Sequence, residues 1–348
     1  MSEITITTNK NYDAIDLMKF IASIFVVALH TDAFFDINKN IFIFVCNGLS
    51  RLAVPLFFIS SAYFLYLPEQ NGLSKKRKMK YIKRLAILYS VWFIIYLPIT
   101  IYNKFYLSEF TFLETIFRYF RSLLFSGGFS GAWYLSSCIF CTWLFKKIDD
   151  IGGGGKDKEI YIFIILIYIL CVITSSYNKI LDICHLRNVY NIYEMLFCQP
   201  YLSIIAGIPY FYIGRYLARN QKKKISIIVT IIAILLFISE VFIVNKFNLG
   251  KPINHYFSLA PCAYIVFINI KENTLYIPYA KILRKMSLVI YLSQFLWIFF
   301  MEFIEWLFKI SITQTEKFCC VIILCVITYV ILSVLCEYRN FKWIKYLL

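Results

Sequence analysis

The sequence predicts an all-α, polytopic membrane protein with about ten transmembrane helices. Hydrophobic residues make up 60% of the 348 positions, which is apolar material for about ten spans of roughly 20 residues each. Charged residues contribute only 16%, well below the share of about 25% in soluble domains. Together with a mean hydropathy of +0.70, this composition excludes a soluble globular or disordered protein. The 19% share of aromatic residues favours a helical bundle with interfacial belts over a barrel.

Ten apolar runs have a length that suits a membrane-spanning helix. They cover residues 14–35, 48–67, 85–102, 131–147, 159–174, 200–218, 225–245, 257–270, 287–308 and 317–337. The first run follows a polar stretch and lacks a cleavage pattern, so we expect it to remain as a spanning helix. The chain over 1–348 is predicted to be one transmembrane domain, with short tails over 1–12 and 338–348.

The distribution of charge predicts the orientation of these spans. Ten spans place both termini on one side of the membrane. If that side is the cytoplasm, the inner segments contain 23 Lys and Arg residues and the outer segments contain ten, with Lys19, Arg51 and Arg215 near membrane depth. This asymmetry follows the positive-inside rule. We therefore expect both termini in the cytoplasm, a multi-pass protein with membrane lipids around it, and no nucleic-acid partner for the net charge of +16.

Two long outer segments, 103–130 and 175–199, could roof a substrate site. In the first of them, apolar residues from Phe112 to Leu123 recur at helical spacing beside charged residues, which predicts an amphipathic helix on the outer face. Cys184 and Cys198 lie in the second outer segment, and a disulfide between them stays open.

The first span carries charged and titratable residues where lipid is expected. Asp16, Lys19 and His30 lie in this span, and ionisable groups inside a membrane default to functional hypotheses. Lys19 and His30 are eleven positions apart, so they share a helix face about 16 Å apart along the axis. A neutral imidazole can accept a proton from an attacking hydroxyl. The alternative is a helix whose two ends snorkel to water.

The second span begins with Arg51 and contains Pro55 and the paired serines Ser60 and Ser61. This combination predicts a kinked helix that faces protein or water rather than lipid. Arg51 falls at the same predicted end as His30. An outward cleft containing both could hold an acceptor hydroxyl and stabilise a developing oxyanion, although Arg51 could equally anchor the helix at the lipid headgroups.

Several motifs resemble the membrane acyltransferase-3 family. Asp16 to His30 resembles that family's opening helix, in which a basic residue and ten further residues precede an essential histidine. Arg51 to Tyr63 is similar to its pattern Arg-x-x-Val-Pro-Leu-Phe-Phe-x-x-Ser-Gly-Tyr/Phe. Further matches, in order along the chain, are Lys83-Arg84-Leu85, Trp133-Tyr134-Leu135, Pro209 to Gly214 and Ser287 to Leu292.

Three positions depart from the family pattern. Lys19 stands where the family usually has Arg, which keeps the charge and loses the bidentate fork. Ala62 replaces a usual glycine. Gln294 stands where the family commonly has a histidine, and a glutamine side chain can hydrogen-bond but cannot titrate.

The resemblance implies an enzyme of the cytoplasmic (inner) membrane of a bacterium. It implies transfer of an acetyl group from cytoplasmic acetyl-CoA, the acyl-CoA donor, to a hydroxyl of a surface glycan or lipid-linked sugar. Its implied catalytic residues are His30, as general base or transient acyl carrier, and Arg51, as its polar partner. The implied acyl-CoA ligands at the cytoplasmic mouth are Lys19, Lys83 and Arg84. The implied substrate-binding residues are Ser60, Trp133, Tyr134 and Gln294, with Trp133 and Tyr134 at the outer entrance. No metal site is predicted, and His185 and His255 are isolated in sequence.

Alternatives remain for the function and for individual residues. Basic inner loops satisfy the topology rule without a ligand, and interfacial anchoring also explains Trp133 and Tyr134. The same membrane domain resembles one fused to serine racemases, which implies an amino-acid transport or sensing protein as the first alternative. A polysaccharide export component is the second. The sequence leaves a homodimer open.

Overall fold

The computed structural model describes residues 12–67, 74–106, 110–151, 157–221, 223–337 and 347. Within these ranges the chain is helical and contains no strand. The two predicted tails lie outside the described residues, apart from Tyr12 and Leu347.

Fourteen α-helices follow one another along the described chain. They are α1 (Asp13–His30), α2 (Lys39–Phe42), α3 (Ser50–Tyr66), α4 (Ser74–Ile101), α5 (Phe112–Phe125), α6 (Trp133–Asp150), α7 (Asp157–Thr174), α8 (Lys179–Ile183), α9 (Arg187–Phe197), α10 (Ile208–Asn220), α11 (Ile227–Phe247), α12 (Leu259–Lys271), α13 (Ala280–Phe308) and α14 (Gln314–Glu337). Two π-helical stretches, Ile43–Leu49 and Tyr102–Tyr106, join α2 to α3 and extend α4.

Each of the ten predicted apolar runs overlaps a helix, although α10 and α12 have only 13 residues each and α10 begins at Ile208, within the run 200–218. Five helical stretches of the described chain are long and apolar enough to cross a membrane: Lys39–Tyr66, Lys76–Lys104, Ile227–Phe247, Ala280–Phe308 and Gln314–Glu337. The apolar helix α12 is shorter. The chain is therefore an all-helical membrane protein, and the count of ten crossings with both ends inside stays a prediction.

Helix α3 lies at the centre of the bundle and packs against α1, α4, α6, α10 and α12. Its contact with α10 is unusually close at Gly214, where an added Cβ would lie 2.2 Å from the Ile59 carbonyl oxygen and 2.8 Å from the Ala62 Cβ. Small residues allow membrane helices to approach to backbone contact. Gly214 and Ala62 thus set the distance between α3 and α10.

The amphipathic helix predicted from Phe112 is confirmed as α5. It begins with a capping box, in which Thr111 Oγ1 accepts a hydrogen bond from the Glu114 amide and the Glu114 carboxylate accepts one from the Thr111 amide. Its outward residues, such as Phe112 and Leu113, are exposed, while its other face contacts α9. All eleven cysteines are free, so the open disulfide between Cys184 and Cys198 is absent.

Candidate active site: an inner basic cavity and the His30–Arg51 pair

A cavity of about 650 Å³ opens between the helix ends that the charge pattern assigns to the cytoplasm. We call it the inner cavity, and its walls come from α1, α3, α4, α6 and α13. Its mouth brings together six basic side chains against one carboxylate, Asp16. The six are Lys19, Arg77, Lys80, Arg84, Arg284 and Lys285. Such an excess of cations in one concave site favours a ligand with several negative charges.

Contacts between α1 and α13 hold the cation-rich mouth together. The Asp16 carboxylate lies 3.6 Å from the Arg284 guanidinium. The Ser287 hydroxyl donates a hydrogen bond of 2.8 Å to the Lys19 carbonyl. The Lys19 ammonium lies 5.3 Å from the centroid of the Phe64 ring on α3, a cation–π distance. Lys19 is therefore held at the inner end of α1, between α3 and α13.

The deep end of the inner cavity is aromatic and apolar. Phe57 and Tyr134 lie against Tyr291, with ring centroids 6.0 and 5.4 Å from it. Ser61 and Tyr134 share a hydrogen bond of 3.0 Å between their hydroxyls. The cavity thus passes from a charged mouth to a narrow apolar floor that carries a few hydroxyl groups, the usual organisation of a site for an amphipathic ligand.

His30 and Arg51 meet at the opposite end of the bundle. His30 ends α1 and is exposed, and its ring lies 4.6 Å from the Phe295 ring on α13. Arg51 occupies the first turn of α3, close enough to interact electrostatically with His30. The sequence placed both residues at one end of their helices, and the fold brings these two ends together. An imidazole beside a fixed guanidinium can accept a proton while the cation stabilises developing negative charge.

Arg51 is held by the loop between α11 and α12. Its Nη1 donates a hydrogen bond of 2.6 Å to Asn254 Oδ1. Its buried Nε has no hydrogen-bond partner among the described residues. Asp32, from the loop after α1, lies within electrostatic range on the other side. The guanidinium is thus positioned by an amide and retains a free donor.

Glu240 anchors that loop and was missed in the sequence. The Glu240 carboxylate accepts hydrogen bonds from the amides of Phe257 and Ser258, both at 2.8 Å, and from the Tyr177 hydroxyl at 2.6 Å. It also accepts one from the Ser258 hydroxyl. The signal that could have found it is its position as the one carboxylate in the otherwise apolar helix α11.

His255 is not isolated, in contrast to its appearance in the sequence. It is buried in the same loop, where Nδ1 lies 2.9 Å from the Tyr210 hydroxyl and Nε2 lies 3.3 Å from the Tyr201 carbonyl oxygen. Burial lowers the pKa of the His255 imidazole to about 4. His255 supports the loop that carries Asn254, directly beside it.

The inner cavity includes some of the predicted acyl-CoA ligands and excludes one. Lys19 and Arg84 line it, whereas Lys83 is exposed on α4 outside its lining. The fold adds Arg284 and Lys285 from α13, two of the basic residues counted in the inner segments. Adjacent residues on α4 point about 100° apart, which separates Lys83 from Arg84.

The predicted substrate-binding residues are dispersed. Tyr134 was expected at the outer entrance, but it forms part of the floor of the inner cavity. Ser60 is buried and donates to the Phe57 carbonyl at 3.0 Å, while its neighbour Ser61 faces the cavity. Gln294 is buried, donates to the Tyr291 carbonyl at 2.9 Å, and does not line the inner cavity. Trp133 lines a second cavity and not the inner one.

The described residues contain no group of three or more His, Cys, Asp or Glu side chains that could hold a metal ion. The inner cavity, by contrast, supplies cations at its mouth and apolar contacts inside. A ligand with clustered phosphates and a thin chain fits this set of residues.

Comparisons with known proteins identify the family of this chain. A family model described as an acyltransferase domain matches residues 12–337. Two proteins of Enterococcus faecalis, both named amino-acid racemase, are 24% identical to this chain over 268 and 264 residues, which are 75% and 74% of it. These segments are 36% and 37% of those proteins, so the chain spans about a third of the curated relatives it matches. No solved structure matches the chain significantly.

Proposed function

Since the chain belongs to this family of membrane acyltransferases, we propose that it is an O-acetyltransferase. It moves an acetyl group from cytoplasmic acetyl-CoA to a hydroxyl of a surface polysaccharide or a lipid-linked sugar. The observation that carries this proposal is the inner cavity, which combines six basic side chains at its mouth with an apolar floor. In a bacterial cytoplasmic membrane, the inner cavity faces the coenzyme pool and the His30–Arg51 end faces the envelope.

The inner cavity suits the chemistry of the donor. Coenzyme A carries a 3′-phosphate and a diphosphate, and Arg and Lys side chains are the usual partners of such groups. Lys19, Arg84 and Arg284 line the mouth at which these phosphates bind. The uncharged pantetheine arm follows the apolar wall toward Ser61 and Tyr134. Acetyl-CoA supplies an acetyl group activated as a thioester.

His30 and Arg51 provide the chemistry at the acceptor end. The His30 imidazole takes the proton of the attacking hydroxyl as the new C–O bond forms, or it carries the acetyl group between the two substrates. The carbon–sulfur bond breaks and the coenzyme leaves as a thiol. Arg51, held by Asn254, stabilises the negative charge on the acetyl oxygen.

The test replaces His30 and follows the product directly. His30→Ala is expected to abolish ester-linked acetate in the envelope of cells that express the protein, with unchanged membrane abundance and unchanged binding of acetyl-CoA to the purified variant. His185→Asn is the control, because His185 is exposed and has a positive φ of 56°, which asparagine tolerates. Wild-type acetate levels in His30→Ala would overturn the catalytic role.

A second candidate is amino-acid transport or sensing, because both relatives are named amino-acid racemases and this chain matches about a third of each of them. If the protein is a transporter, it moves labelled L-serine into proteoliposomes in the absence of acetyl-CoA. Uptake by the His30→Ala variant is then also independent of coenzyme binding. Absence of acetyl-CoA binding by the purified wild-type protein, together with serine uptake, would replace the acetyltransferase proposal with this one.

A further inference from the structure

A second cavity of about 380 Å³ lies at the outer end of the bundle. We call it the outer cleft. Its walls come from the outer ends of α4 and α13, from α5 and α9, and from the loop between α5 and α6. This volume is at the lower end of the range of about 300–1,000 Å³ for ligand pockets. It suits a mono- or disaccharide unit and is large for a free amino acid.

The roof of the outer cleft is a fixed polar structure. Arg121 on α5 donates hydrogen bonds from Nη1 to the carbonyls of Glu194, at 3.1 Å, and Met195, at 2.7 Å, near the end of α9. Gln199 Nε2 donates to Glu194 Oε1 at 3.0 Å. The Arg121 bonds join the two predicted outer segments, and the Gln199 bond lies within the second of them. The cleft is therefore preformed, which lowers the entropic cost of binding.

Polar groups that face the outer cleft remain available to a ligand. The side chains of Thr100, Asn103 and Ser130 make no hydrogen bond within the described part of the chain. The buried Nε of Arg121 also has no partner there. The ammonium of Lys104 makes no ion pair with a described carboxylate and lies 5.9 Å from the Tyr119 ring centroid. Hydroxyl, amide and cationic donors of this kind match the oxygen atoms of a sugar.

Aromatic side chains form the other surface of the outer cleft. Trp133 and Phe299 line it, and Tyr96 and Phe129 stack on each other with centroids 4.8 Å apart. Flat apolar surfaces beside a few placed polar groups are typical of sites that bind small organic ligands. The C–H face of a sugar ring packs on such surfaces while its hydroxyls reach the polar groups.

One aromatic residue separates the outer cleft from His30. Phe299 in the cleft and Phe295 lie one turn apart on α13, with ring centroids at 6.5 Å, and Phe295 contacts His30 at 4.6 Å. Gly131, in the loop that borders the cleft, has a φ of +80°, and a Cβ there would lie 2.8 Å from the Phe295 ring. The close approach of this loop confines Phe295 between the cleft and the histidine.

We propose that the outer cleft is the acceptor site, and that it binds a sugar ring with one hydroxyl directed past Phe295 to His30. This inference rests on the proposed function, because it assigns the second substrate of that reaction to the outer cleft. It also assigns a role to Phe295. This ring lies between the cleft and the histidine, so it controls the approach of the acceptor hydroxyl to His30.

The test fills the outer cleft without touching the inner cavity. Ser130→Trp places a large side chain in the cleft at an exposed position. Ser311→Trp, at an exposed position in the loop between α13 and α14, is the matched control. Ester-linked acetate in the envelope and acetyl-CoA binding by calorimetry are measured for both. We expect Ser130→Trp to lower acetate more than about tenfold, equivalent to about 1.4 kcal/mol, with donor affinity within twofold of wild type.

If Ser130→Trp also loses acetyl-CoA binding, the variant is misfolded, and a milder variant is needed to test the acceptor site. Asn103→Leu removes one cleft amide at similar volume, and we expect it to raise the acceptor KM and leave acetyl-CoA affinity unchanged. Full acetate levels in both variants with normal donor binding would overturn the acceptor site. A wild-type protein that neither binds acetyl-CoA nor acetylates the envelope would instead overturn the proposed function.

Discussion

Replacing Gly214 with alanine tests how closely the two central helices must pack. The added Cβ would lie 2.2 Å from the Ile59 carbonyl oxygen and 3.0 Å from the Ile59 carbonyl carbon. Both atoms belong to the backbone, so no rotamer change relieves the overlap. Restoring even 3.0 Å to the oxygen moves α3 and α10 apart by about 0.8 Å. Overpacking of this kind costs about 1–3 kcal/mol, and a clash with backbone belongs at the upper end.

Thermal unfolding of the purified protein in detergent measures this cost. A loss of about 3 kcal/mol corresponds to a fall of roughly 6 °C in the unfolding midpoint, at about 2 °C per kcal/mol for a large domain. Because α3 also carries Ser61 and Arg51, its displacement is expected to weaken acetyl-CoA binding as well.

Gly48→Ala is the control for Gly214→Ala. A Cβ at Gly48 would lie 3.4 Å from the Ile238 side chain and 3.5 Å from the Ile43 carbonyl oxygen, which is ordinary contact. Alanine also has the higher helix propensity, by about 1 kcal/mol. We expect Gly48→Ala to keep or raise the midpoint. Equal midpoints for Gly214→Ala and the wild type would refute the assignment of Gly214 as the residue that sets the helix separation.

Three further predictions concern the two ends of the bundle. Arg284→Glu at the mouth of the inner cavity should weaken acetyl-CoA binding about tenfold or more in calorimetry, because charged hydrogen bonds contribute about 1.5–3 kcal/mol, whereas Lys83→Glu outside the cavity should not. Asn254→Leu should lower envelope acetate about tenfold by releasing Arg51, and Asn254→Asp, which keeps the acceptor oxygen, should restore it; equal acetate in the two variants would contradict the positioning role. The pKa of His255 is about 4 in the folded protein and 6.5 for an ordinary histidine. The unfolded chain therefore binds the extra proton first, and stability, complete above pH 6.5, should fall as the pH drops toward 4. His255→Gln should flatten that slope in thermal unfolding scans, and an unchanged slope would assign it to other groups.

The helical skeleton could be predicted because span length is a local property. Each apolar run extends over enough residues to form a helix, and every run overlaps one, while the short helices α2, α5, α8 and α9 lie between the runs. The number of crossings depends on more than length. Helix α1 has Asp13, Asp16 and Lys19 in its first two turns, and these charges are accommodated because Asp16 and Lys19 face the inner cavity.

The position of a candidate site residue could be predicted where it depends on which end of a helix the residue occupies. It could not be predicted where it depends on the direction of the side chain. His30 and Arg51 end and begin helices on the same side, so their proximity follows from topology. Ser60 and Ser61 are neighbours, as are Trp133 and Tyr134, and each pair divides between different environments. The rotation of a helix within the bundle decides such pairs, and a single sequence carries little information on it.

Contacts from distant parts of the chain were the hardest to foresee. Asn254 lies 203 positions from Arg51, in the loop between α11 and α12. Glu240 and Tyr177 are separated by 63 positions. Only the folded structure shows that the Glu240 carboxylate fixes the loop whose Asn254 side chain holds Arg51.

The Glu240 carboxylate also constrains how the protein inserts into the membrane. A carboxyl group in the middle of an apolar segment opposes insertion into lipid, at a cost of roughly 2.5–3.5 kcal/mol for aspartate on insertion scales. Tyr177, one of its partners, has already been synthesised when α11 leaves the ribosome, and Phe257 and Ser258 follow within 18 positions. Helix α11 can therefore enter the membrane beside the Tyr177 hydroxyl, which can already bind the Glu240 carboxylate. During membrane insertion, α11 is expected to pack against the segment after α7 before α12 is complete.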